Sequence, residues 1–317
     1  MASSTSVVLA ALFANGAIAV LKFGAWGLTG SPAMLSEAYH SVSDTGNQVF
    51  LLVGIWFGGR ASSRRHPFGY GKAQFFYSFL VSVLLFGIAG WESANHGVHE
   101  IQLVLSGEAH GIGGTETFAG FTFPQVWINY AVLLSAIVFE SYAFVKAYRA
   151  MKLEIDEHDW SGFREAFRKT ANVTTLTALT EDTIALGGLV LALVGIWLTQ
   201  FTGDPIYDAI SALLIGVMLM GFAVALAWEN KRLLLGESLP ASDERQLRRI
   251  VREWDGIRHV DDFRTVYFGP DAILVTADVS FDPELETEEI DDRITALCDA
   301  IREAEPDVSK VYVEPEL

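Results

Sequence analysis

Two groups of ionisable side chains lie within long apolar stretches of this sequence. His40 and Asp44 are four residues apart in HSVSD, and Glu181 and Asp182 are adjacent in a later stretch. Because helix positions i and i+4 share a face, His40 and Asp44 are expected to converge. An imidazole nitrogen and a carboxylate are ordinary ligands of a divalent transition metal. One helix cannot complete a tetrahedral shell, so Asp182 is the expected ligand from a second helix. The alternative is a buried His40–Asp44 pair that only holds helices together.

The depth of these residues in their stretches supports a shared site. At 1.5 Å per residue, His40 lies about 10 Å and Asp44 about 16 Å from the start of its stretch. Asp182 lies about 14 Å from the start of a stretch that runs in the opposite direction. Both helices therefore place carboxylates near the middle of a membrane, where alternating-access transporters keep their substrate.

Three polar residues lie next to these ligands. Glu181 projects about 100° around the helix from Asp182. Three roles therefore remain open for it: a metal ligand, a proton acceptor or a partner for a hydroxyl group. Asn47 and Gln48 follow Asp44 by about one turn and are expected to orient the ligands.

Four further ionisable residues lie in apolar stretches, where such groups are costly and mark function. Glu140 is expected to pair with a cation or to transfer protons. Asp208 is a second candidate for proton transfer, although it follows a Gly-Asp-Pro turn and could instead cap a helix. Lys22 is expected to extend to the interface or to pair with an acid. Glu37, close to one end of its stretch, is expected at the mouth of the site.

Six apolar stretches, each about as long as a membrane span, position these residues. The composition agrees, with 51% hydrophobic and 19% charged residues and a mean hydropathy of +0.31. The loops after the second, fourth and sixth stretches contain Lys and Arg, whereas residues 98–125 contain neither. Basic loops are cytoplasmic, so both termini are predicted inside. The stretches are 7–28, 33–58, 75–93, 126–145, 173–198 and 206–228.

The last 82 residues have a different composition. The net charge of the chain is −17, and residues 236–317 carry 22 acidic and 9 basic side chains. Periodicity and turn residues predict two helices and three strands in the order αββαβ, typical of an α+β ferredoxin-like domain. We therefore expect an α-helical membrane domain with six transmembrane helices at 1–235 and a cytoplasmic α+β domain at 236–317. The predicted elements are helices 241–254 and 286–304 and strands 264–268, 272–281 and 308–313.

Several function classes are excluded or disfavoured. The acidic surface argues against nucleic acid as a partner. Cys298 is the single cysteine, so an intrachain disulfide and a cysteine zinc cage are excluded. Neither HExxH nor GxxxxGK[ST] occurs, which argues against a metalloprotease of that type and against nucleotide binding. A secondary active transporter, rather than an enzyme, is predicted. A membrane metal sensor that transports nothing is the alternative from another class.

The ordered motifs resemble the cation diffusion facilitator family. They are SEAYHSVSDTGNQ, HPFGYGKAQ and the acidic pair in the fifth stretch. TALTEDTIALGG and TGDPIYDAISALLIG resemble the zinc transporter 9-like branch, which is mitochondrial and has prokaryotic relatives. The resemblance implies a homodimer formed through both membrane and C-terminal domains, the latter metallochaperone-like. It also implies export of a divalent cation, Zn²⁺ in the first place, with H⁺ as the coupling ion.

One departure from the family pattern affects the metal. The resemblance places one ligand pair on His40 and Asp44, and the second pair, commonly HxxxD, on Ala178 and Asp182. Because alanine has no ligand atom, Glu181 or a water must supply the missing ligand. Carboxylates are hard ligands that suit Mn²⁺, so Mn²⁺, Fe²⁺ and Co²⁺ are alternative substrates.

The location is predicted from the same features. The six stretches predict a multi-pass integral membrane protein, in the plasma membrane of a prokaryotic cell. The acidic sequence has 7 Lys against 15 Arg, which indicates a high-salt source.

Overall fold

The computed structural model describes residues 2–108, 115–118, 121–157, 160–169, 173–270 and 272–316. Long helices make up its first three quarters, and a short hairpin and a short helix lie between them. The elements of this part are α1 (Ala2–Thr29), α2 (Pro32–Gly58), α3 (Lys72–Leu84), a π-helical segment (Leu85–Gly90), α4 (Trp91–Ser106), β1 (Thr115–Phe118), β2 (Phe121–Pro124), α5 (Val126–Glu157), α6 (Phe163–Lys169), α7 (Val173–Thr202) and α8 (Ile206–Leu235).

Each of the six predicted apolar stretches lies within helical structure. Four helical stretches in the described part of the chain are long and apolar enough to cross a membrane: Lys72–Ser106, Val126–Asp156, Ala178–Thr202 and Ile206–Leu235. Helices α1 and α2 have 28 and 27 residues, more than the roughly 20 that a bilayer requires. Helix α2 is the less apolar of the two because it carries the polar residues of the predicted site.

The third helical stretch is longer than predicted. The sequence predicted that it would end near residue 93, whereas α4 continues to Ser106. It ends at Gly107, whose left-handed conformation (φ 76°) lets its amide bond to the carbonyl of Val104. The polar residues of α4 interrupt the apolar run without interrupting the helix.

Helices α4 and α8 pack with their backbones in close approach. A Cβ atom at Gly97 would lie 2.7 Å from Leu213 Cα, and one at Gly216 would lie 2.7 Å from Ala94 Cα. The hydroxyl of Ser93 donates to the carbonyl of Ala212 at 3.2 Å. Glycine at these two contacts therefore allows the two helices to meet.

The C-terminal elements form the predicted αββαβ order. They are α9 (Ala241–Arg252), β3 (Ile257–Gly269), β4 (Ala272–Phe281), α10 (Thr287–Ala304) and β5 (Val308–Glu316). Strand β4 lies between its neighbours, antiparallel to β3 and parallel to β5. Alternate residues of β4 are buried, as are the apolar faces of both helices. One face of the sheet and the two helices therefore share a core.

The chain divides into two compact units. The first contains residues Met1–Val53 and Tyr77–Trp228, and the second contains Gly54–Phe76 and Glu229–Leu317. The segment between α2 and α3 thus belongs to the same unit as the C-terminal elements.

Within this second unit, the HPFGYG loop packs against the end of β3. A Cβ atom at Gly71 would lie 2.6 Å from the carbonyl oxygen of Phe268. The rings of Phe68 and Phe268 meet edge to face with centroids 6.1 Å apart. The ammonium group of Lys72 donates to the carbonyl of Leu234 at 3.4 Å.

Candidate metal centre

Helix α2 brings His40 and Asp44 together as predicted. Their Nε2 and Oδ2 atoms are 3.5 Å apart, and the two residues are only 2% and 5% exposed. Among the described residues, neither ring nitrogen of His40 has a hydrogen-bond partner. Buried polar atoms normally have partners, so an imidazole left in this way is available to a metal ion.

Helix α7 supplies the second side of this site. Glu181 accepts a hydrogen bond of 2.8 Å from the side-chain amide of Asn47, one turn beyond Asp44. Asp44 and Glu181 also interact electrostatically. The partner of Asn47 is thus Glu181, and its role in orienting ligands remains a prediction. The buried Oε1 atom of Gln48 has no partner in the described part of the chain.

Asp182 and Glu140 border this group of acids. Asp182 interacts electrostatically with Glu140 on α5, and Glu140 in turn interacts with Asp44. Within the described ranges, however, no three His, Cys, Asp or Glu side chains are close enough to hold one ion. The set His40, Asp44, Asp182 and Glu181 therefore remains a prediction as a metal shell.

Lys22 and Glu37 form a buried ion pair between α1 and α2. Lys22 Nζ donates to Glu37 Oε2 at 2.9 Å, with the two side chains 1% and 0% exposed. The expectation that Lys22 pairs with an acid agrees with this contact. Glu37, expected at the mouth of the site, is fully buried, with Lys22 of α1 and Gly188 of α7 beside its carboxylate.

Asp208 caps a helix other than its own. The start of α8 is capped by Asp204, whose Oδ1 accepts from the amide of Ile206 at 3.0 Å. The Asp208 carboxylate instead accepts from the hydroxyl of Ser31 at 2.8 Å and from the amide of Ala33. Since α2 begins at Pro32, Asp208 satisfies the free amide of Ala33 at the beginning of the helix that carries His40 and Asp44.

Similar proteins identify the family. Residues 8–235 match the cation efflux transmembrane domain. The chain belongs to the cation efflux family. Residues 239–316 match the cytoplasmic domain of cation efflux proteins. The predicted fold class is thereby confirmed, with its six-helix membrane domain and C-terminal α+β domain, and the chain is an integral membrane protein.

Characterised relatives support the predicted branch. The proton-coupled zinc antiporter SLC30A9 of Homo sapiens, a mitochondrial protein, is 28% identical over 89% of this chain and 46% of its own length. Metal tolerance protein C4 of Arabidopsis thaliana is 24% identical over 89% of this chain and 58% of its own. The chain thus spans about half the length of these relatives. The magnetosome protein MamM of Paramagnetospirillum magneticum is 24% identical over 95% of this chain and 83% of its own. The resemblance to the cation diffusion facilitators and to their zinc transporter 9-like branch is confirmed.

Proposed function

We propose that this cation efflux protein exports Zn²⁺ from the cytoplasm in exchange for protons. The observation that carries the proposal is the buried His40–Asp44 pair on α2, which meets Glu181 of α7 within the apolar helices. An ionisable group in that position is costly and therefore functional by default.

The proposed ligands are His40, Asp44 and Asp182, with Glu181 as the fourth. A metal ion requires deprotonated ligands, so Zn²⁺ and protons compete for the same atoms. Loading from the cytoplasm displaces protons, and protonation on the other side releases the metal. Alternating access then requires helices to move about this site. Glu140 and Asp208 remain candidates for conducting the protons.

The same proposal includes topology and assembly. Basic loops support cytoplasmic termini, in a prokaryotic plasma membrane. The cytoplasmic domain supports a homodimer, and the matched ranges support a division into 1–235 and 236–317.

Flux measurements in liposomes test the function directly. Purified protein is reconstituted, a pH gradient is imposed, and uptake of Zn²⁺, Mn²⁺, Fe²⁺ and Co²⁺ is followed for the wild type and for Asp182→Ala. We expect gradient-dependent Zn²⁺ flux that Asp182→Ala abolishes.

Other outcomes have distinct meanings. A faster flux of Mn²⁺, Fe²⁺ or Co²⁺ than of Zn²⁺ would support transport and correct the substrate, in keeping with Ala178 in place of a histidine. Metal binding without flux, in protein shown to be folded, would contradict transport and favour a membrane metal sensor.

A further inference from the structure

The buried Lys22–Glu37 pair contains an unused ligand atom. Lys22 occupies Oε2 of Glu37, whereas Oε1 has no hydrogen-bond partner among the described residues. Glu37 is fully buried, so no bulk solvent reaches this oxygen. A buried, unpartnered carboxylate oxygen is a position that a cation could fill.

This oxygen lies on the face of α2 that carries the proposed metal ligands. Glu37 precedes His40 by three residues and Asp44 by seven, which places all three on one helix face. The rise from Glu37 to His40 is about 4.5 Å. A carboxylate side chain can reach across such a distance, so an ion could pass from His40 to Glu37 without leaving protein ligands.

Helix α7 lines the same path. A Cβ atom at Gly188 would collide with Oε1 of Glu37, so the glycine leaves the space that the carboxylate occupies. Gly188 follows Glu181 by seven residues and therefore lies on the α7 face that meets Asn47. The seam between α2 and α7 thus runs from Asn47 and Glu181 past the metal site to Glu37 and Gly188.

Lys22 supplies the positive charge that this seam otherwise lacks. Its ammonium group interacts electrostatically with His40 and with Glu140 as well as pairing with Glu37. A carboxylate buried without a cation is strongly disfavoured. Any cation that binds Glu37 must therefore share it with Lys22 or displace the ammonium group.

We propose that Glu37 is a second binding site, or station, for the exported divalent cation, on the non-cytoplasmic side of the main site. Lys22 is the internal cation that occupies this station when no metal is there. The incoming ion displaces Lys22 from Glu37, and the return of Lys22 expels the ion. The inference rests on the proposed export function and on the predicted orientation.

Zn²⁺ binding to the full-length protein in detergent tests the station separately from transport. Equilibrium dialysis measures the number of Zn²⁺ ions per chain for the wild type, Lys22→Met, and the double variant Lys22→Met with Glu37→Gln. Lys72→Met, the same substitution at a lysine outside this seam, is the matched control. We expect Lys22→Met to bind one Zn²⁺ more than the wild type. The double variant and the Lys72→Met control are expected to bind the same number of Zn²⁺ ions as the wild type.

A folded Lys22→Met protein with unchanged stoichiometry would overturn the proposal and leave the pair as a structural clamp. Loss of wild-type binding in Asp44→Ala tests the main site independently. The proposed export function and the inference can therefore fail separately.

Maximal flux gives a second test where Lys22→Met folds poorly. The double variant restores a neutral pair, so we expect normal folding and about tenfold slower Zn²⁺ flux at saturation, because the station is missing. Lys22→Arg keeps the charge and is expected to retain more flux than the double variant. Wild-type maximal flux in the folded double variant would contradict the station.

Discussion

At the scale of single residues, the candidate site offers one imidazole and several carboxylates. The imidazole of His40 and the carboxylate of Asp44 are adjacent on α2, and Glu181 approaches them from α7. This donor set is harder than one with two imidazoles, which makes the choice of metal depend on a few atoms.

Asp44 is expected to be indispensable. Asp44→Asn keeps the size of the side chain but removes the charge that would neutralise a divalent ion. Even the loss of a residue that only hydrogen-bonds to a ligand lowers metal affinity about 10–100-fold. We therefore predict that Zn²⁺ flux is at least ~100-fold slower in Asp44→Asn. The same change at the exposed Asp156 is the control and should leave flux unchanged. Comparable flux in both variants would show that Asp44 is not a ligand.

Ala178 is expected to control the choice of metal. Ala178→His adds an imidazole one helical turn before Asp182. Nitrogen ligands suit Zn²⁺ better than Mn²⁺. We therefore predict that the ratio of Zn²⁺ flux to Mn²⁺ flux rises about tenfold, which corresponds to a free-energy difference of roughly 1.4 kcal/mol. Competition between the two metals in the same liposomes measures the ratio. A ratio that does not change would place residue 178 away from the bound ion.

Part of this site could be predicted from the sequence. The convergence of His40 and Asp44 follows from helix periodicity alone. The environment of Glu37 does not, because spacing gives the depth of a residue along its own helix but not the helices that face it. Its pairing with Lys22 links residues on two different helices and leaves no local pattern.

At the scale of elements, α2 depends on its neighbours for the position of the metal ligands. Asp208 of α8 bonds to Ser31 and Ala33 at the start of α2. Nearby, the hydroxyl of Thr29 donates to the side-chain oxygen of Asn129 on α5 at 2.9 Å. The contacts of Asp208 fix the end of α2 closest to His40, and the bond from Thr29 holds the end of α1 against α5.

Removing this cap should disturb transport without removing a ligand. For Asp208→Ala we predict a loss of about 1 kcal/mol in stability, as for other lost helix caps, and slower Zn²⁺ flux. Asp208→Asn keeps an acceptor oxygen and should retain most of both. Thermal unfolding and liposome flux are measured for the two variants. If Asn proves as damaging to flux as Ala at equal stability, the charge of Asp208 matters rather than its hydrogen bonds.

The existence of the long helices could be predicted because each contains an apolar run of spanning length. The extension of α4 could not, since Glu92 and His96 end the apolar run, while the helix continues with small residues packed against α8. The hairpin of β1 and β2 and the short helix α6 were also missed. Each of the two strands has four residues and the helix has seven, which is too few for a periodic pattern of apolar residues.

At the scale of the whole molecule, the second unit joins two parts of the chain that are far apart in sequence. Gly71 lies against Phe268, and Lys72 bonds to Leu234. The sequence predicted a cytoplasmic loop and a C-terminal domain but gave no sign of this contact, because packing between distant residues leaves no spacing pattern.

The contact at Gly71 is expected to protect the loop. Gly71→Ala places a methyl group against the carbonyl of Phe268, so we predict several-fold faster trypsin cleavage at Arg60, Arg64 and Arg65. Gly221→Ala adds its methyl group where no atom lies within 4 Å and is the matched control. Equal cleavage rates in the two variants would show that the loop is held by other contacts.

Cys298 can report whether the C-terminal domain remains folded in this experiment. Burial raises the pKa of its thiol, which lowers the fraction of reactive thiolate. Alkylation should therefore stay slow in Gly71→Ala if only the loop contact is lost. Fast alkylation would mean that the domain itself has unfolded.

The π-helical segment Leu85–Gly90 has a consequence for insertions and deletions. A π turn holds an extra residue relative to an α turn, and each residue advances an α-helix by about 100°. The wide turn therefore absorbs one residue locally, and Ser93 and Gly97 beyond it still face α8. Loss of a single residue there is therefore expected to restore a regular α turn and to keep the contact with α8, whereas one more residue would rotate that contact by about 100°.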